Sequence, residues 1–149
     1  MALLSTLPLT SQITLYALLV LFGLFSGLLL WAQVGTARGR PFQNPDGTRD
    51  DWREQKLFFG LAWADIILAC PVSFAGIALM FIAPRWGFFL MGMVGFWFLW
   101  VNLVTTFTSL RFEKPKITIE WLIVFPFGSI LGLSYLVWAA LHFDWFVSP

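Results

Sequence analysis

Long apolar runs separated by short polar breaks dominate the chain. Four of them, at residues 13–32, 57–82, 86–110 and 119–143, each hold at least 20 residues. A helix needs roughly 20 apolar residues to cross a hydrocarbon core of about 30 Å, so each run is long enough for one crossing. The pattern predicts an all-α integral membrane protein, a single transmembrane domain over residues 1–149 with four helices in an up-down bundle. The break Ala83-Pro84-Arg85 and the break centred on Phe112-Glu113-Lys114-Pro115-Lys116 are short, which makes the helices on either side antiparallel neighbours. The break at residues 33–56 is the longest polar stretch, and its Asn44-Pro45-Asp46-Gly47 is a turn signal.

Inside the runs the polar residues follow helical spacing. Asp65 is the one carboxylate in an otherwise apolar segment, and Ala62, Asp65, Ala69, Ser73 and Gly76 recur every three or four residues, on one helical face. Gly92, Gly95, Asn102 and Thr106 form a comparable strip in the third run. Asp65 and Asn102 each lie eight residues from the ends of their runs at 57 and 110, a depth of about 12 Å. A charged Asp at the centre of a membrane helix costs about 2.5–3.5 kcal/mol, so it should face inward and find a partner. Asn102 is the expected partner, with Thr106 beside it. Gly23-x-x-x-Gly27 and Gly128-x-x-x-Gly132 are patterns that let helix backbones approach, and Gly92 and Gly95 are read as packing residues for the same reason. Pro71 and Pro126 fall inside the second and fourth runs and favour kinks there.

Composition excludes an ordinary soluble domain: 59% of residues are hydrophobic, 11% are charged, and the mean hydropathy is +0.81. A net charge of +1, with no exposed cationic cluster implied, gives no support for a nucleic-acid partner. The cations are unevenly placed. Arg38, Arg40, Arg49, Arg53 and Lys56 flank or occupy the first break, Arg111, Lys114 and Lys116 the third, and Arg85 alone the second. The positive-inside rule then makes 33–56 a cytoplasmic loop and puts both termini on the non-cytoplasmic side of a plasma or inner membrane. Trp31, Trp63, Trp86, Trp121, Trp138 and Trp145 sit near helix ends, where an interfacial belt is expected, whereas Trp97 and Trp100 fall inside the third run. The N-terminus lacks the cations that open a secretory signal, so the first run reads as a retained helix.

Candidate chemistry is sparse. One histidine, His142, and one cysteine, Cys70, do not make a metal or haem site, and no serine sits in a nucleophile-elbow motif. No catalytic residue, metal or cofactor is expected. Asp46, Asp50, Asp51 and Glu54 could hold a cation at the cytoplasmic face, but their alternation with arginine reads as a solvated loop. Asp46-Gly47, Arg49, Gly60 and Asp65 resemble elements of the CDP-alcohol phosphotransferases. That family's later paired aspartates are missing, the spacing differs and the helices are too few, so the chain is not assigned to it. The expectation is a non-enzymatic membrane protein whose polar layer supports transport of a proton, ion or small solute. Asp65, Asn102, Thr106 and Glu54 are the candidate ligand or ion-binding residues, and the partners are the lipid bilayer and further copies or other membrane subunits. The alternatives are an accessory subunit of a larger complex and a membrane-embedded enzyme acting on a lipid-linked substrate.

Overall fold

The computed structural model describes residues 2–38, 56–112 and 119–147, and all their regular structure is helical. A short α1 (Ala2–Ser5) precedes α2 (Leu9–Ala37). The second run is continuous helix in three parts: α3 (Lys56–Ala64), a π turn (Asp65–Ala69) and α4 (Cys70–Ile82). α5 (Pro84–Phe112), α6 (Ile119–Leu141) and a short α7 (Phe143–Val147) complete the chain. Among the described residues, four helical stretches are long and apolar enough to cross a membrane: Leu9–Ala37, Phe59–Ile82, Pro84–Thr108 and Leu122–Leu141.

Several boundaries differ from the sequence reading. α2 begins four residues earlier than position 13, directly after Pro8, and runs five residues past Ala32, so residues 33–37 are helix rather than loop. The fourth run breaks at His142, and α7 then turns back onto α5. Glu54, Asp46, Asp50, Asp51 and the proposed turn at 44–47 lie outside the described residues.

The helices close into a ring in which α2 packs on α3, α4 and α6, and α5 packs on α4 and α6. Phe98 fills the centre, stacked on Phe22 at 5.4 Å and edge-on to Phe25 at 5.1 Å. Tyr135 closes the same cluster from α6, edge-on to Phe22, with its hydroxyl donating to the Phe88 carbonyl. Such pairs add about 0.5–1.5 kcal/mol each beyond the area they bury. The outer faces are apolar as well: Leu9, Val20, Leu24, Leu28 and Trp31 of α2 are all exposed. Water does not tolerate an unbroken apolar surface of this extent, whereas hydrocarbon does.

Close packing is set by glycine at two places. The α4–α5 hairpin turns through Ala83 alone, Pro84 occupies the first helical position of α5, and a Cβ on Gly87 would collide with the backbone of Met80. On the other side of α5, a Cβ on Gly132 would collide with the carbonyl oxygen of Gly95 and lie 2.7 Å from the amide of Leu99. The α5–α6 backbones therefore touch at Gly95 and Gly132.

Candidate functional site

Asp65 opens the π turn, where the amide of Cys70 donates to its backbone carbonyl, one residue further along than in an α-helix. The cause lies in the next residue. Pro71 has no N–H to give, and its ring would press on the carbonyl of Ile67 in a regular helix. A widened turn immediately before it removes the conflict. The expected kink at Pro71 is therefore taken up as one extra residue in the turn that carries Asp65. Between the Ser26–Ser73 and Gln33–Asp65 ties, α2 advances seven residues while its partner advances eight.

The carboxylate is 2% exposed and bonded on both oxygens. Gln33 Nε2 of α2 donates to Oδ2 at 2.8 Å, and Trp97 Nε1 of α5 donates to Oδ1 at 2.9 Å. Three helical segments thus meet on one acid. Both donors are neutral, so these bonds orient the carboxylate without cancelling a negative charge on it.

A second polar group lies about two turns, roughly 12 Å, along the same seam. There Ser26 Oγ of α2 donates to Ser73 Oγ at 2.8 Å, and the Cys70 thiol points at the Ser26 carbonyl at 3.5 Å. Ser26, Ser73 and Cys70 are all fully buried. The seam between α2 and the second membrane helix therefore carries hydroxyl, thiol and carboxylate groups in a line. Comparison with protein-family models, curated proteins and solved structures finds no match to this chain.

The other sequence-predicted residues are distributed differently. Asn102 does not reach Asp65: its amide donates to the Phe98 carbonyl at 2.8 Å, within α5, and lies against Gly128 of α6. Thr106 donates to the Asn102 carbonyl at 2.6 Å, again within α5. The contact from Asp65 to the third membrane helix exists, but Trp97 makes it. α3 leans on α2, while α5 is held by α4 and α6, so the gap beyond the π turn is spanned by a long indole and not by a short amide. Gly128 faces Asn102 and Phe25, and Gly95 and Gly132 meet each other. Among the described residues, Gly23 has the tip of Ile77 near it, while Gly27 and Gly92 have nothing within 4 Å of a Cβ position. Trp31, Trp63, Trp86 and Trp145 are exposed, the Trp121 side chain lies outside the described residues, and Trp138 is turned inward and stacked on His142 at 4.4 Å.

Sequence reasoning missed Gln33 and Ser26. Both lie on the stripe Leu15, Leu19, Phe22, Ser26, Gln33 of α2, in helical register with its buried face. Continuing that period beyond Ala32 would have found Gln33.

Proposed function

We propose that this chain is a multi-pass protein of a plasma or inner membrane, with both termini outside, whose Asp65-centred layer conducts a proton or small cation. The observation that carries the reading is a buried carboxylate bonded by Gln33 and Trp97, two neutral donors from different helices. A purely structural tie could be made by an amide with no ionisable group inside the bilayer, and an intramembrane acid points first to a proton or ion path. The π turn adds to this, since such turns occur frequently at functional sites. Ser26, Ser73 and the Gln33 side-chain carbonyl supply oxygen along the same seam for a migrating cation or water. One four-helix chain is thin for a wide pore, so the path is a narrow one inside the bundle, along the seam where Asp65, Ser26 and Ser73 are buried, with further copies packed around it.

The test is flux into proteoliposomes under an imposed potential, with a proton-sensitive dye and then a series of monovalent cations. Wild-type protein is expected to conduct and Asp65→Asn to lose at least about tenfold, in keeping with loss of an ionisable intramembrane group. Equal flux in the two proteins overturns the reading. Orientation is checked by cysteine accessibility: labelling of a loop residue at 39–55 from outside intact cells reverses it.

A second reading, an accessory subunit, is favoured by Gly27, which lies open on an exposed face of α2 between Leu24 and Leu28. It predicts stoichiometric co-purification of another membrane polypeptide and no flux for any ion.

A further inference from the structure

We propose that Ser11 and His142 form a nucleophile–base pair that hydrolyses carboxylic esters of membrane lipids, at the end of the bundle opposite the Asp65 seam. Ser11 lies in the first turn of α2, 22 residues before Gln33 and so roughly 33 Å along the helix from it. His142 lies at the break between α6 and α7, and its Nε2 is 2.8 Å from Ser11 Oγ.

The protons on this pair follow from its third member. His142 Nδ1 is 2.7 Å from the Trp138 carbonyl, which can only accept, so Nδ1 carries the hydrogen. Nε2 of the neutral ring then presents a lone pair, and the Ser11 hydroxyl donates to it. A hydroxyl bonded to a base that is itself oriented by a third group is the arrangement that activates a serine nucleophile. The Trp138 ring stacks on the imidazole at 4.4 Å, where its π face favours the imidazolium that forms on proton transfer. The first intrahelical amide bond at this end of α2 runs from Gln12 to Pro8, so the amides of Leu9, Thr10 and Ser11 have no acceptor within the helix. They supply donors for the negative oxygen that develops on attack.

Position selects the substrate. Ser11 and His142 are half-buried, while Leu9, Ile13, Leu141 and Phe143, their neighbours along the chain, are exposed and apolar. Trp145 is exposed 6.4 Å from the His142 ring, as an indole of the membrane–water interface would be. The ester groups of glycerolipids lie in that zone, between headgroup and acyl chain, and water is at hand there. Ser11 Oγ attacks the ester carbonyl carbon as its proton passes to Nε2. The bond to the glycerol oxygen breaks, and Nε2 returns the proton to that oxygen. Water then attacks the acyl-serine carbonyl, giving a proton to Nε2; the bond to Oγ breaks, a fatty acid leaves, and Ser11 regains its proton from Nε2.

The full chain in vesicles of phosphatidylcholine and phosphatidylglycerol tests this, with two readouts. The first is labelling by a long-chain alkyl fluorophosphonate, which loses fluoride to a nucleophilic serine and is located by peptide mass spectrometry. Wild-type protein should be labelled at Ser11, faster as the pH rises from 5 to 8, because a protonated imidazole cannot accept. His142→Ala should be labelled about 100-fold more slowly, the usual contribution of a general base, and free imidazole should restore part of the rate. The second readout is fatty-acid release from the vesicles, expected of wild-type protein and absent in Ser11→Ala. Absence of label at Ser11 in wild-type protein overturns the proposal, as does a labelling rate independent of pH. Equal labelling of folded His142→Ala also overturns it. Labelling of Ser11 with no release of fatty acid would overturn the lipid ester as substrate.

Discussion

Trp97 and Asp65 are joined by a 2.9 Å bond from the indole N–H to Oδ1, which ties α5 to the π turn of the second membrane helix. The bond is the side-chain tie from α5 to this carboxylate, and Gln33 of α2 supplies the other. Trp97→Phe keeps most of the ring and removes only the donor. It should lower stability by about 1–3 kcal/mol, the cost of leaving a buried acceptor short of one partner. Gln33→Leu should do the same through Oδ2, and the double variant should be less destabilised than the sum, because both act on one carboxylate. Unfolding of the three variants in mixed micelles measures this, and strict additivity would show the two bonds to be independent.

Asp65 itself separates charge from bonding. In Asp65→Asn the side-chain oxygen can accept from Trp97, while the new amide donates to Gln33 once the Gln33 amide turns its oxygen inward. The variant should therefore fold with a melting temperature near that of the wild type. Asp65→Leu strands both donors and should cost about 1–3 kcal/mol. Comparable stability of the leucine variant would show that Gln33 and Trp97 find other partners.

The π turn depends on Pro71. Pro71→Ala restores an N–H and removes the ring, so the extra residue can be expelled and the turn can relax to α-helix. That would rotate Asp65 by about 100° relative to α4, away from Trp97. The indole N–H resonance of Trp97, identified by its absence in Trp97→Phe, should then shift toward a non-bonded position. An unchanged resonance would mean that the packing of α2 and α5, and not the proline, holds the turn.

The four-run pattern was enough to read the number of spans, the hairpin at Ala83 and the inward face of the second membrane helix, because these follow from length and from a period of three to four residues. The partner of Asp65 was not legible, for a definite reason. Counting residues from the helix ends assumes straight antiparallel helices and unit register, and that assumption sets Asn102 opposite Asp65. The π turn adds a residue, α3 inclines to α2, and the acid meets Gln33 and Trp97 instead. Gln33 was hidden further by hydropathy, which ends a span at the first polar residues, whereas the α2 backbone continues to Ala37. The spacing GxxxG was ambiguous in the same way: Gly132 sits in a backbone contact and Gly27 in none, and only the rotation of each helix tells them apart.

Glycine substitutions make that distinction measurable. Gly132→Ala places a methyl against the Gly95 carbonyl and the Leu99 amide, both backbone groups that cannot move without separating α5 from α6. Overpacking of this kind typically costs 1–3 kcal/mol. Gly92→Ala puts the same methyl into open space, and Gly27→Ala puts it on an open outer face, where the higher helix propensity of alanine acts alone. The first variant should unfold more easily than wild type, and the other two should be equal to it or slightly more stable. The comparison controls for helix propensity, because all three positions are helical and all three changes add one carbon. Equal stability across the three would mean that α5 and α6 can part at Gly95 and Gly132 with little loss. Since Asn102 packs on Gly128 one turn away, that result would also remove close α5–α6 packing as the reason Asn102 turns from Asp65.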